Sequence, residues 1–165
     1  MKKIHQLTIV LIALTFVVGC KSPAPSVQGP TLKKNPYSTS EFLSHDTQGI
    51  ITLRGVSDEL SGRAEAVEGA HKKAIQHLFY MGFPGTDFKN PIIRKGQQVE
   101  TEHKAFFDEF WKGGYKQYIT NNEEEFYACS TSAARCVVGV VTFKLNYNIL
   151  RRDLERNKVL NKIGF

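Results

Sequence analysis

The residues best placed to do chemistry are two Glu-x-x-His pairs, Glu68 with His71 and Glu100 with His103. On a helix this spacing puts a carboxylate and an imidazole on one face, and di-metal helical bundles use such a pair twice. Those bundles also draw a carboxylate from each of two further helices. The chain has room for about three helices beside a sheet, so both pairs are expected to be chance neighbours and no metal ligand is assigned. His45 and His77 stand alone, the usual pattern of surface or packed imidazoles. Ser57, Ser61, Ser130 and Ser132 have no base at a spacing that would mark a nucleophile, and there is no Gly-x-Ser-x-Gly elbow, phosphate loop or dinucleotide fingerprint. No catalytic or cofactor-binding residue is assigned, no cofactor is expected, and the function expected is not enzymatic.

The N-terminus carries a clearer signal. Lys2 and Lys3 precede an uncharged apolar run from Leu7 to Val18, 12 residues long. As a helix it would reach only about 18 Å, short of the roughly 30 Å hydrocarbon core of a bilayer, so it targets the chain rather than spanning a membrane. The run ends in Val17-Val18-Gly19-Cys20, which resembles the lipobox of bacterial lipoproteins. The resemblance implies that Cys20 takes a diacylglyceryl thioether, that residues 1–19 are a signal peptide removed before it, and that its new amino group is acylated. Each buried methylene contributes roughly 0.8 kcal/mol, so two or three acyl chains would hold the protein on the bilayer. Lys21 stands where an aspartate would imply inner-membrane retention in many Gram-negative bacteria. An outer-membrane location is therefore expected for such a host.

Cleavage would leave 146 of the 165 residues and, with Lys2 and Lys3 gone, lower the net charge from +6 to +4. Residues 20–40 hold the lipidated cysteine and a segment with Pro23, Pro25, Pro30 and Pro36 and little apolar periodicity, which reads as an extended tether. Residues 41–165 then form one globular domain. Its two cysteines, Cys129 and Cys136, flank six residues between predicted strands. In an oxidising periplasm or at the cell exterior that pair is expected to form a disulfide.

The elements of this domain follow from periodicity. Gly49 to Val56 is rich in β-branched residues and predicts a strand. From Ser61 the period changes: Val67, Ala70, Ala74, Leu78 and Met81 would share one helix face, with the small alanines letting the helix lie close on a sheet. Gly82, Pro84 and Gly85 stop it. After a loop over 83–98, a helix is expected over Glu100–Lys112, with Phe106, Phe107, Phe110 and Trp111 as a core-facing aromatic stripe. Tyr115–Thr120 and Glu123–Ser130 are expected to be strands joined by a turn at Asn121-Asn122. Cys136–Asn146 predicts the strongest strand, and Asn148 would cap a last helix that turns Leu150, Leu154 and Leu160 inward. The fold class is α+β: a single two-layer domain with a mainly antiparallel sheet and two or three helices on one face.

Arg151, Arg152, Arg156, Lys158 and Lys162 outnumber Asp153 and Glu155 on the last helix, a modest surplus that would suit lipid headgroups but reads first as a solvated face. Export makes a nucleic-acid partner improbable. The strand, alanine-rich helix and glycine stop over residues 49–82, with Leu150-Arg151-Arg152-Asp153-Leu154-Glu155 downstream, resemble small envelope lipoproteins of the LPP20 type. That resemblance implies no catalytic residues. Leu60-Ser61-Gly62-Arg63-Ala64 is similar to the helix start of OmpA-type peptidoglycan-binding domains but one residue short, with Ser57-Asp58 near the carboxylate ligand of that family and its second arginine segment missing. The expected function is a lipid-anchored binding or assembly role in the cell envelope, with the membrane and an envelope protein as partners. The alternatives are an envelope hydrolase with a site assembled in space and an OmpA-like peptidoglycan binder.

Overall fold

The structure, a computed structural model, describes residues 32–130 and 136–161. The expected signal peptide, Cys20, Ser132 and Lys162 lie outside these residues. Four strands form one antiparallel sheet in the order β1-β2-β4-β3, with β1 at Glu41–His45, β2 at Ile50–Leu60, β3 at Ile119–Ala128 and β4 at Val137–Asn146. Four helices accompany it: α1 (Arg63–Tyr80), α2 (Gln98–Glu102), α3 (Lys104–Lys112) and α4 (Tyr147–Arg156). This is the α+β, two-layer, antiparallel arrangement expected. Among the described residues no helix is long and apolar enough to cross a membrane.

The central strands β2 and β4 pair Ile51 with Leu145 and Leu53 with Phe143, and all four side chains are buried under the helices. Helix α1 packs on both strands with Ala66, Ala70, Ala74 and Leu78 fully buried. Ala70, Ala74 and Leu78 are buried as expected, but the buried face is rotated to take in His71, Ile75 and Phe79 as well: Val67 is half-buried and Met81, past the helix end, is 64% exposed. The helix approaches so closely because strand glycines lie beneath it. A Cβ on Gly55 would stand 2.1 Å from the Ala70 carbonyl oxygen, and one on Gly139 would meet Ala66 at 2.9 Å.

Several expected elements take another form. Residues 41–45 make a strand that periodicity did not reveal; it hairpins to β2 through Gly49, whose φ of 81° favours glycine. The helix expected over 100–112 breaks at His103, which ends α2 and begins α3. A straight helix would align Val99 with Phe106 and Phe110, whereas the break turns Phe107 fully inward with Phe110 and leaves Phe106 half-buried. Residues 114–118 form a 3-10 turn, not a strand, and its three-residue period buries Tyr115 and Tyr118 together. The Asn121-Asn122 signal marks no turn. Strand β3 runs through it with a bulge, Asn121 taking a φ of 53° that asparagine tolerates.

The cap of α4 is Asn146, whose side chain accepts from the Ile149 N–H at 3.1 Å, while Asn148 donates to the Gln48 carbonyl. Helix α4 buries Leu150 and Leu154, and Leu160 is half-buried beyond its end. On the other face of the sheet Val56, Val138 and Val140 pack with Tyr37, Tyr127 and Cys129. The Arg54 guanidinium lies 4.5 Å over the Tyr37 ring, and Lys34 bridges to Ala128 in parallel. Residues 33–37, expected as tether, therefore belong to the packed domain.

Candidate functional site

Helix α1 covers β2 and β4, so the edge strand β3 lies beyond its reach. The uncovered strip becomes a groove of about 680 Å³. Arg63, Ala64, Val67, Glu68 and His71 line it from α1, Ile119, Asn122, Glu124 and Phe126 from β3, and Lys116 from the 3-10 turn. Its wall is apolar where Val67, Ile119 and Phe126 stand, and the Arg63 guanidinium sits 4.9 Å over the Phe126 ring.

His71 is the buried polar residue of the groove, only 4% exposed. Its ring meets Phe143 edge-on at 4.7 Å, and its Nε2 lies 3.3 Å from Asn122 Oδ1. When Nε2 carries the proton it donates to that oxygen, which leaves Nδ1 as an acceptor. Nδ1 is buried without a hydrogen-bond partner among the described residues, as is the Tyr115 hydroxyl. Burial drives the imidazole below its usual pKa, helped by the Lys116 charge and opposed by the Asn122 bond and Glu68, so His71 is neutral at pH 7. Glu68 accepts from Lys116 Nζ at 2.5 Å, which holds its carboxyl below the usual range. Burial also pushes the Tyr115 phenol up to about 12, with the Glu68 charge adding to it.

The two Glu-x-x-His pairs separate in space and role. Glu68 and His71 share the groove, but one is engaged by Lys116 and the other by Asn122. Glu100 and His103 are parted by the helix break: Glu100 accepts from the Tyr80 hydroxyl and from Trp111 Nε1, tying α2 to α1 and α3. His77 stacks on Phe83 at 4.7 Å, and His45 meets Phe88 edge-on at 5.4 Å. Ser57 is buried at the β2 bulge, where its hydroxyl accepts from the Gly139 N–H and donates to the Asp58 carbonyl. Asp58, near the carboxylate position suggested by the OmpA-type resemblance, is paired with Lys73 on the surface.

Cys129 and Cys136 are joined through their sulfurs, with Cα atoms 5.8 Å apart. Glu59 lies beside them and, among the described residues, completes a cluster of potential metal ligands. The paired sulfurs are not thiolates, and Glu59 accepts from the Ser130 N–H and hydroxyl. The basic face of α4 is partly neutralised within itself, Arg151 by Glu155 and Arg156 by Asp153. A smaller cavity of about 240 Å³ lies between α3 and α4, where Asp153 accepts from the Tyr118 hydroxyl at 2.9 Å.

The groove thus offers an apolar wall, a guanidinium, an engaged carboxylate and a neutral buried imidazole. Among the described residues that line it there is no serine, threonine, cysteine or tyrosine to serve as a hydroxyl or thiol nucleophile. Periodicity had marked Glu68 and His71 but not Asn122, Lys116 or Phe126, which meet α1 only through the order of the strands. The one local hint was Phe126, an aromatic residue directly after three glutamates. No protein-family model, curated protein or solved structure matches this chain.

Proposed function

We propose that the mature chain is a lipid-anchored protein of the bacterial cell envelope, held on the membrane through Cys20, whose folded domain is a binding module working through the groove between α1 and β3. The export half of this reading rests on the basic start, the 12-residue apolar run and the Gly19-Cys20 boundary. The groove carries the binding half. It is a concave surface with an apolar wall and a few convergent polar groups, the usual composition of a ligand site. The carboxylate and imidazole that α1 brings to it are held in one state instead of poised for proton transfer: Glu68 is held ionised by Lys116, and His71 is held neutral by burial. An envelope protein is the partner this reading favours, and export keeps nucleic acid away.

Two measurements test it. The intact mass of the membrane-extracted protein should exceed that of the chain from residue 20 onward by its acyl groups, and a Cys20→Ser variant should lose that excess. Equal masses would end the lipidation claim. A photo-reactive amino acid at Val67 in the groove should crosslink an envelope component in living cells, while the same group at exposed Lys89 should not. Identical products from both positions would end the claim for the groove.

A further inference from the structure

We infer that the open edge of β3 is a docking strand for an extended, cationic peptide segment of a partner protein, which adds to the sheet beside β3 and sets side chains at the groove mouth. This rests on the groove being the binding site and names its occupant.

The backbone geometry comes first. Strand β3 ends the sheet, and the Ala128 N–H points away from β4 to donate to the Lys33 carbonyl at 2.9 Å. Alternation along the antiparallel ladder then directs the backbone groups of Phe126, Glu124 and Asn122 outward in the same way, while Tyr127, Glu125 and Glu123 bond to β4. Among the described residues nothing pairs with those outward groups. The side chains of the same three residues line the groove, so a strand added here would lie along its rim.

Charge selects the occupant. Glu123, Glu124 and Glu125 are consecutive and exposed, and no cation among the described residues forms an ion pair with them. A second copy pairing its own β3 here would set glutamates against glutamates, which cross-strand repulsion disfavours. An anionic lipid surface is repelled for the same reason. A strand bearing lysine or arginine has a carboxylate opposite it on either face. A basic segment already meets this edge through its backbone, since Lys34 bridges to Ala128 at the end of β3 and the Lys33 carbonyl accepts from the Ala128 N–H. Charged residues also serve simply to protect a sheet edge. That role accounts for the glutamates but not for the cavity beside them, which Asn122, Glu124 and Phe126 line from β3 and the buried His71 from α1.

The test uses the full-length protein in detergent and three probes: an eight-residue peptide of alternating lysine and valine, the same peptide with alternate backbone amides methylated, and a glutamate-valine counterpart. The lysine peptide should bind, with methylation weakening it roughly tenfold or more through lost backbone hydrogen bonds, and the glutamate peptide should not bind. Glu124→Pro deletes an outward N–H without touching the β4 ladder and should weaken the lysine peptide to the same degree. Glu123→Gln with Glu125→Gln keeps every backbone bond and should weaken it too, which covers a proline variant that fails to fold. Equal binding of plain and methylated peptides would reduce the effect to charge attraction and overturn strand addition, as would no binding of the lysine peptide. If Val67 still crosslinks a component in cells that the lysine peptide does not displace, the groove stands as a site and this occupant falls. If the Val67 crosslink itself is absent, the earlier reading has failed.

Discussion

Replacing Gly55 by alanine would drive a methyl group into the backbone of α1. The added Cβ would stand 2.1 Å from the Ala70 carbonyl oxygen and 2.7 Å from its carbon, where ordinary contact begins near 3.4 Å. No flexible side chain intervenes, so α1 must retreat from β2 by about 1 Å, loosening Ala70 and Ala74, both fully buried. Overpacking of this kind costs about 1–3 kcal/mol, offset by about 0.5–1 kcal/mol from replacing a strand glycine. A contact this short with backbone puts the cost at the upper end of its range, and the resulting net loss of about 2 kcal/mol should lower the thermal midpoint by about 8 °C for a domain of this size. Gly139→Ala meets Ala66 at 2.9 Å and requires a smaller retreat, so its loss should be about half as large. Circular dichroism melts of both variants against the wild type measure this. A Gly55→Ala midpoint within about 2 °C of the wild type, or one above that of Gly139→Ala, would refute the claim that backbone contact sets the seat of α1.

Three further outcomes are expected. Burial keeps folded His71 below its ordinary pKa, so as pH falls below about 6.5 the unfolded chain binds the proton first. Stability should be level above that pH and decline below it by up to about 1.4 kcal/mol per unit until the folded pKa is reached. His77 is lowered in the same direction, so the comparison is with His71→Leu, whose urea midpoint should decline less between pH 7 and 5; parallel curves would contradict this. Thiol labelling of unreduced, unfolded Cys20→Ser protein should find no free Cys129 or Cys136, and a Cys129→Ser, Cys136→Ser double variant should lose about 2.5 kcal/mol on the loop-entropy estimate, read from its urea midpoint. Glu100→Ala strands the Tyr80 hydroxyl and the Trp111 indole N–H and should cost about 2 kcal/mol. The emission of Trp111, the single tryptophan, should shift in that variant and stay near wild type in Glu100→Gln.

The strong periodic segments were legible without coordinates. The strand over 136–146 and the long helix ending at Gly82 announce themselves because β-branched runs, alanine at helical spacing and a glycine stop are local properties of the chain. Local signals failed where two structures satisfy them equally. Tyr115 and Tyr118 suit a strand by composition, yet only a 3-10 turn buries both at a spacing of three. Asn121-Asn122 has turn chemistry that a bulge uses as well as a hairpin does, and β3 needs the bulge to keep its register against β4. The helix over 100–112 had to break because Val99, Phe107 and Phe110 all have places in one core.

By itself the sequence determined the α+β class, the principal helix and strands, and which residues are types able to do chemistry, all of which depend on neighbours within a few positions. The Glu68–His71 spacing was visible there, but what those side chains do was not. That required the strand order β1-β2-β4-β3, which leaves β3 outside the cover of α1 and brings Asn122 to His71 across 51 positions and Lys116 to Glu68 across 48. Groove, buried imidazole and open edge are consequences of long-range pairing, and the energy of such pairing resides in contacts that no short window of sequence contains.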